Sequence, residues 1–235
     1  MKAIILAAGL GTRLRPLTDD IPKCLVPIQG RPLLGFWLEA LLGTGLVDEV
    51  RINTHHLASQ VEAFARESPW AERINLVHED VLLGTGGTVL AAREWLGGET
   101  FLVLHGDNLT DADIGALVEA HRNAGPDVLL TLLAFRTDRP RDCGILELDG
   151  GDRVVGFHEK VQDPPGNLAN GAIYVVEPAV LDFMAGLRGP FIDFSTQVIP
   201  ALLPRVLAVE DAGFFRDIGT PQALAEAELR FRPPR

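Results

Sequence analysis

The stretch "AIILAAGLGTRLRPLTDDIPKCLVPI", Ala3 to Ile28, begins as one kind of structure and ends as another. Ala3–Ala7 is an unbroken apolar run, the pattern of a strand buried on both faces. From Gly9 onward the stretch holds two glycines, two arginines, three prolines and one lysine, with neither a helical nor a strand period. A loop this long is either functional or unstructured. Further along, short apolar runs return at Glu49–Asn53, Ile74–His78, Phe101–His105, Val128–Ala134 and Ala172–Val176. Between them lie segments with apolar residues at helical spacing: Pro32–Leu42, Leu57–Glu67, Gly86–Leu96 and Asp111–Asn123, the last with Ile114, Leu117 and Val118 on one stripe. Strands alternating with helices imply right-handed βαβ units and a mostly parallel sheet. In such a sheet ligands bind beyond the carboxyl ends of the strands, where the opening loop leaves strand 1.

After Asn123 the rhythm changes. Ile145–Leu148 and Val154–Phe157 flank Asp149-Gly150-Gly151-Asp152, a hairpin signal. Asp163–Ala169 reads as a loop, Ala179–Ala185 and Ser195–Leu203 as helices. Pro221–Arg230 reads as a tail helix with Pro at its first position and Thr220 as its cap. No linker, low-complexity tract or repeat divides the chain, so one domain over 1–235 is expected.

Composition narrows the function. The 235 residues are 47% hydrophobic, enough for a full core. No apolar run reaches the roughly 18 residues of a membrane span. The N-terminal region lacks the pattern of a signal peptide, so a cytoplasmic protein is expected. A net charge of -11 argues against nucleic-acid partners, yet a few cations in one cleft still bind a phosphate. Cys24 and Cys143 read as ordinary thiols. His55-His56 is no metal pair, because neighbours on a strand point opposite ways. Trp37, Trp70 and Trp95 read as packing residues.

The opening loop suits an anion. Gly9 and Gly11 allow close backbone approach and positive φ, and their N–H groups form a nest for phosphate oxygens. Arg13 and Lys23 add positive charge. Two familiar phosphate loops are excluded: Leu14 stands where a dinucleotide fingerprint needs its third glycine, and no lysine adjoins the glycines as a Walker loop requires.

The loop resembles the signature of the sugar-1-phosphate nucleotidylyltransferases, G-x-G-T-R-L-x-P-L-T followed by P-K-x-L-x-P, here Gly9–Thr18 and Pro22–Pro27. Cys24 stands where a second proline is common. The resemblance continues in family order through Leu83–Gly87, Gly106-Asp107, Glu159-Lys160, Asn170-Gly171 and Asp217–Thr220. It implies a single-domain, Rossmann-like α/β/α fold with a mixed, mostly parallel sheet, similar to glycosyltransferase-A proteins. Residues 1–125 would form the nucleotide-binding half and 126–235 the sugar-phosphate half. The C-terminal β-helix of many relatives is not expected. The implied nucleotide contacts are Leu6, Ala7, Ala8, Gly9, Gly11, Thr12, Arg13, Lys23, Glu79, Gly84, Thr85 and Asp107, with Arg13, Lys23 and Asp107 catalytic.

The residues can also be read one by one. Asp107 follows the buried strand "FLVLH" at its carboxyl edge, where a carboxylate suits Mg²⁺. The plain alternative, a helix cap, is better filled by Thr110 or Asp111. The family's second Mg²⁺ ligand falls on Asp217. Glu159 and Lys160 read as lying on opposite faces of a strand end; by resemblance the glutamate takes sugar hydroxyls and the lysine the sugar phosphate. Asn170 opens the next strand and resembles the sugar-binding asparagine. Gly144 matches a glycine whose backbone touches the sugar, with Cys143 before it where tyrosine is common. Gly84, Gly86 and Gly87 let a base approach the backbone. Glu79 falls at a base-contacting position, and a carboxylate, which only accepts, matches guanine's N1–H and N2–H₂. A solvent-facing glutamate is the plain alternative.

The expected reaction is nucleotidyl transfer from an NTP to a sugar 1-phosphate with Mg²⁺, giving an NDP-sugar and pyrophosphate. GTP and mannose 1-phosphate, or a close hexose or heptose 1-phosphate, are favoured. A uridylyl- or thymidylyltransferase acting on glucose 1-phosphate or an amino-sugar 1-phosphate is the runner-up, and a nucleotide-sugar sensor the remote alternative. The sugar, the pathway and the oligomeric state, homo-oligomer or not, stay open. Arg15 has no assigned role.

Overall fold

The structure is a computed structural model describing residues 1–187, 189 and 191–232. Its strands are β1 (Lys2–Leu6), β2 (Pro27–Ile28), β3 (Arg31–Pro32), β4 (Glu49–Thr54), β5 (Ile74–His78), β6 (Phe101–His105), β7 (Asn108–Thr110), β8 (Leu130–Arg136), β9 (Gly144–Leu148), β10 (Val154–Glu159), β11 (Leu168–Val176), β12 (Val206–Asp211) and β13 (Phe215–Asp217). The chain forms two compact units. One comprises Met1–Leu82, Leu104–Ala112 and Phe214–Arg235; the other comprises Leu83–Val103 and Asp113–Gly213.

In the first unit β1, β4 and β5 run parallel, with Ile5 opposite Ile52 and Ile52 opposite Leu76. The end of β6 lies beside β1, where the Gly106 N–H donates to the Leu6 carbonyl at 2.9 Å. Ala3, Ile4, Ile5, Val50, Ile52 and Leu104 are all fully buried, as runs apolar on both faces require. β5 is the edge strand and only half-buried, in keeping with Asn75 and His78 in its sequence. β13 pairs antiparallel with β7, setting Asp217 opposite Asn108. A second apolar cluster joins Leu14, Val26 and Ile28 to Leu109, Ile218, Ala227 and Phe231. The tail helix Pro221–Arg230 starts where expected, with the Thr220 side chain accepting from the Ala223 N–H.

In the second unit the start of β6 lies beside β11, which is antiparallel to β8 and meets β9 at Ala169–Ile145. β12 is parallel to β8. β9 and β10 form the expected hairpin. The sheet is therefore mixed and the fold class α/β. No described helix is long and apolar enough to cross a membrane.

Several elements differ from their expected bounds. Pro32–Leu42 is a helix only over Leu33–Leu38 and continues as a π turn, Glu39–Gly43. Gly86–Leu96 starts two residues earlier and splits at Ala92. Ser195–Leu203 is a π turn, Phe194–Val198, followed by Ile199–Leu202. Apolar spacing does not distinguish these windings. The helix expected from Asp111 starts at Ile114, and its cap is Asp113, which accepts from the Ala116 N–H. Thr110 and Asp111 do not cap it: Asp111 instead accepts from the Phe214 N–H at 2.6 Å. β11 starts at Leu168, inside the expected loop, because an irregularity between Asn170 and Tyr174, with Ala172 at φ 51°, breaks its alternation.

Candidate active site

The opening loop is folded by its apolar residues. Leu14 and Val26 sit in the same cluster as Leu109 and Ile218, so the charged residues next to them in sequence are placed together. The Ile218 N–H donates to the Asp107 carbonyl at 2.8 Å, tying the two aspartates' backbones. Gly11 takes φ 64°, and the Thr18 hydroxyl donates to its carbonyl at 2.7 Å. Gly9 lies outside the left-handed region, so the expectation of positive φ holds for Gly11 alone. A Cβ on Gly9 would meet nothing within 4 Å, so open space adjoins its backbone.

Lys23, 7% exposed, donates from Nζ to Asp107 and to Asp217 Oδ1, the latter at 2.9 Å. Arg13 Nη2 lies 3.3 Å from Asp217 Oδ2. Burial alone would lower the pKa of the Lys23 ammonium, but Asp107 and Asp217 outweigh it and hold the value above the ordinary range. Burial likewise pushes the Asp107 carboxyl up, while Lys23 and His105 pull it further down, so it stays ionised. Gly219 belongs to this centre as well: a Cβ there would lie 2.7 Å from Arg13 Nη2. Cys24 is buried as a packing residue, and that burial pushes its thiol up to about 12.

Two carboxylates converging on one cation form a hard-oxygen pair that fits Mg²⁺. Among the described residues no group of three or more His, Cys, Asp or Glu could hold a metal. An ion at Asp107 and Asp217 would therefore complete its shell with water and substrate oxygens, as Mg²⁺ prefers.

Glu79 is 6% exposed, which overturns the solvent-facing alternative. Asn53 holds it from the end of β4: Asn53 Nδ2 donates to Glu79 Oε1 at 3.0 Å, and Asn53 Oδ1 accepts from the Ala7 N–H at 2.7 Å. Asn53 links the opening strand to Glu79, and the sequence reading passed over it. Its signal was a polar residue at the carboxyl end of a buried strand. His55 bonds through Nδ1 to the Glu79 carbonyl, and His56 through Nε2 to the Thr18 carbonyl. Trp37 is buried and donates to the Asn108 carbonyl. Arg15 is exposed and pairs with Asp19.

Leu6, Ala7, Ala8 and Thr12 lie in the first unit with the loop, whereas Gly84, Thr85, Gly144, Glu159, Lys160 and Asn170 lie in the second. Gly84 has φ 82°, and a Cβ there would lie 2.5 Å from the Ile192 carbonyl oxygen. The N–H groups of Gly86 and Gly87 donate to that same oxygen at 2.8 and 3.2 Å. The glycines thus admit the backbone of Ile192, a use the sequence does not announce. Thr85 Oγ1 donates to Asp193 Oδ2 at 3.2 Å and accepts from the Phe194 N–H at 2.8 Å. Gly84→Ala is expected to destabilise the protein by about 2–3 kcal/mol, from backbone strain plus overpacking. A lower urea midpoint at unchanged m-value would show it.

Gly144 lies opposite Glu159 in the hairpin, and a Cβ on it would lie 2.6 Å from Glu159 Oε2. Lys160 is not on the opposite face. It sits one residue beyond β10 at φ 50°, so strand alternation has ended, and its Nζ lies 3.2 Å from Glu159 Oε1. Asn170 lies inside β11, as its third residue, rather than opening it. The Cys143 thiol lies 3.8 Å from Thr137 Oγ1.

The structure therefore brings Arg13, Lys23, Asp107 and Asp217 to one point, and Gly144, Glu159 and Lys160 to another. The nucleotidyl transferase family model matches residues 2–232. A mannose-1-phosphate guanylyltransferase of Mycobacterium tuberculosis is 36% identical over 225 residues, covering 94% of this chain and 61% of the relative. A UTP–glucose-1-phosphate uridylyltransferase of Synechocystis is 32% identical over 217 residues, covering 86% and 55%. The chain thus spans a little over half the length of these curated relatives. The crystal structure of HddC from Yersinia pseudotuberculosis, complexed with GMP-PN, superposes with a TM-score of 0.80 at 25% identity, covering 97% of this chain and 98% of that one. With its signature loop, its paired aspartates and a family match along nearly its whole length, the chain belongs to the nucleotidyl transferase family.

Proposed function

We propose that this chain is a sugar-1-phosphate nucleotidylyltransferase that favours GTP and mannose 1-phosphate. The observation that carries the proposal is the convergence of Arg13, Lys23, Asp107 and Asp217 beside the glycine loop. A phosphate oxygen of the sugar 1-phosphate attacks the α-phosphorus of the NTP. The new P–O bond forms in line as the bond to the β-phosphate oxygen breaks, and pyrophosphate leaves. The nucleophile is already an anion, so no general base is needed and catalysis is positioning and charge neutralisation. Arg13 and Lys23 stabilise charge on the departing pyrophosphate. Glu159 binds sugar hydroxyls, and Lys160 orients the attacking phosphate. Asp107 and Asp217 would hold Mg²⁺, which when bound supplies charge neutralisation at the phosphates.

The guanine preference rests on Glu79. It is a buried acceptor held by Asn53, suited to a base with two adjacent donors. The Mycobacterium relative is named a guanylyltransferase, and HddC was crystallised with a guanine nucleotide, which supports the same reading. The uridylyltransferase relative supports the second reading, UTP with glucose 1-phosphate.

A panel of GTP, UTP, dTTP and CTP against mannose and glucose 1-phosphates, read as pyrophosphate release with Mg²⁺, tests both. GTP with mannose 1-phosphate is expected to give the highest kcat/KM. Faster turnover with UTP or dTTP would overturn the guanine preference, and no release with any pair would overturn the transfer itself.

A further inference from the structure

We infer that Tyr174 is a positioning residue for the sugar site, fixing the amide of Asn170 so that one donor and one acceptor face the ligand. The inference rests on the proposed role of Asn170 in binding the sugar. Asn170 Oδ1 accepts from the Ala172 N–H at 3.0 Å, and its Nδ2 donates to Tyr174 Oη at 2.8 Å. An N–H only donates, so Ala172 fixes which end of the amide is oxygen. Tyr174 then receives the nitrogen end, and the Ser195 side chain also bonds the phenol.

The phenol is built for this task. Tyr174 is fully buried, and its ring stacks on Phe194 with centroids 5.2 Å apart. Burial pushes its pKa above the ordinary value, so it stays a neutral hydroxyl. A buried hydroxyl must be paired, and this one spends its pairing on a half-buried amide rather than on backbone. The Ala172 N–H lies two residues on from the amide it bonds, the geometry of an Asx turn. An asparagine amide has two N–H donors and two lone pairs on oxygen. Among the described residues one of each is used, so one donor and one acceptor remain for a pair of sugar hydroxyls. Without the Tyr174 hydroxyl the amide keeps only its contact with the Ala172 N–H, and the direction of the free pair is held less firmly.

Steady-state kinetics with the best substrate pair of the panel tests this. Tyr174→Phe is expected to raise KM for the sugar 1-phosphate about 10-fold, the scale of one oriented hydrogen bond, with kcat and the KM for the NTP within about twofold. Asn170→Ala is expected to raise the same KM as much, and the double variant no more than either single one, because the two act as a unit. A Tyr174→Phe protein with unchanged sugar KM, beside an Asn170→Ala protein with a raised one, would overturn the positioning role. An unchanged sugar KM in Asn170→Ala would instead overturn the sugar-site reading on which it rests. Ser195→Ala, which frees the phenol without touching the buried rings, is expected to raise the same KM about threefold. No change there would count against the inference if Tyr174→Phe does not fold.

Discussion

Lys23→Met is expected to lower kcat by about 10²–10³ and stability by about 3 kcal/mol. The two losses have different origins. The rate falls because a fixed charge facing the departing pyrophosphate is gone. Stability falls because Asp107 and Asp217 are left facing each other without the ammonium that both now contact. The loss lies at the low end for a broken buried pair, since the Asp217 side chain is 46% exposed and solvent screens it. For a chain of this size the loss corresponds to a Tm lower by about 6–12 °C in calorimetry. Millimolar Mg²⁺ is expected to restore much of that Tm, because a divalent ion would take the place of the missing cation. Lys23→Arg keeps the charge but not the point geometry, and should recover stability better than rate. A Lys23→Met protein with wild-type Tm would mean the two carboxylates do not depend on the lysine.

Arg13→Ala is expected to lose about 10²–10³ in kcat, some 3–4 kcal/mol of transition-state stabilisation, with little change in Tm. Its side chain is 66% exposed and its contact with Asp217 is long, so the folded state owes it little. The expected contrast with Lys23 separates the two cations of the loop: Lys23 would both hold the site together and act, while Arg13 would only act. Single-turnover measurements at saturating substrates would isolate the chemical step. Wild-type turnover in a folded Arg13→Ala protein would remove Arg13 from the catalytic machinery.

How much of this was legible depended on the kind of residue. Phe101–His105 and Ile74–His78 were readable to the residue, because short apolar runs with polar flanks leave little freedom in their ends. β11 was not, because an irregularity at Asn170–Tyr174 hides the period of its first half. Lys160 was placed on the wrong face because alternation stops one residue before it, at Glu159. Of the site, Arg13, Lys23 and Asp107 stand out in sequence through the loop and the strand end. Asp217 does so only by resemblance, since it reaches Asp107 through the β7–β13 pairing and the Ile218–Asp107 bond, and neither leaves a local mark. Asn53 and Ile192 were missed because their roles are contacts between distant segments. The glycines at 84, 86 and 87 were visible, but the sequence could not say which backbone they admit.

The closing of the first unit by Phe214–Arg235 bears on how the protein is made. On the ribosome Arg13 and Lys23 emerge roughly 200 residues before Asp217. At translation speeds of about 5–20 residues per second that is a delay of roughly 10–40 s. Throughout that interval Leu14 and Val26 lack Ile218, Ala227 and Phe231, the partners that complete their cluster. The nascent chain therefore carries a basic loop without its full set of counter-charges, exposed to chaperones and to free phosphates. The charged centre is completed only once Asp217 and Ile218 have been synthesised, so a product terminated before Phe214 lacks it.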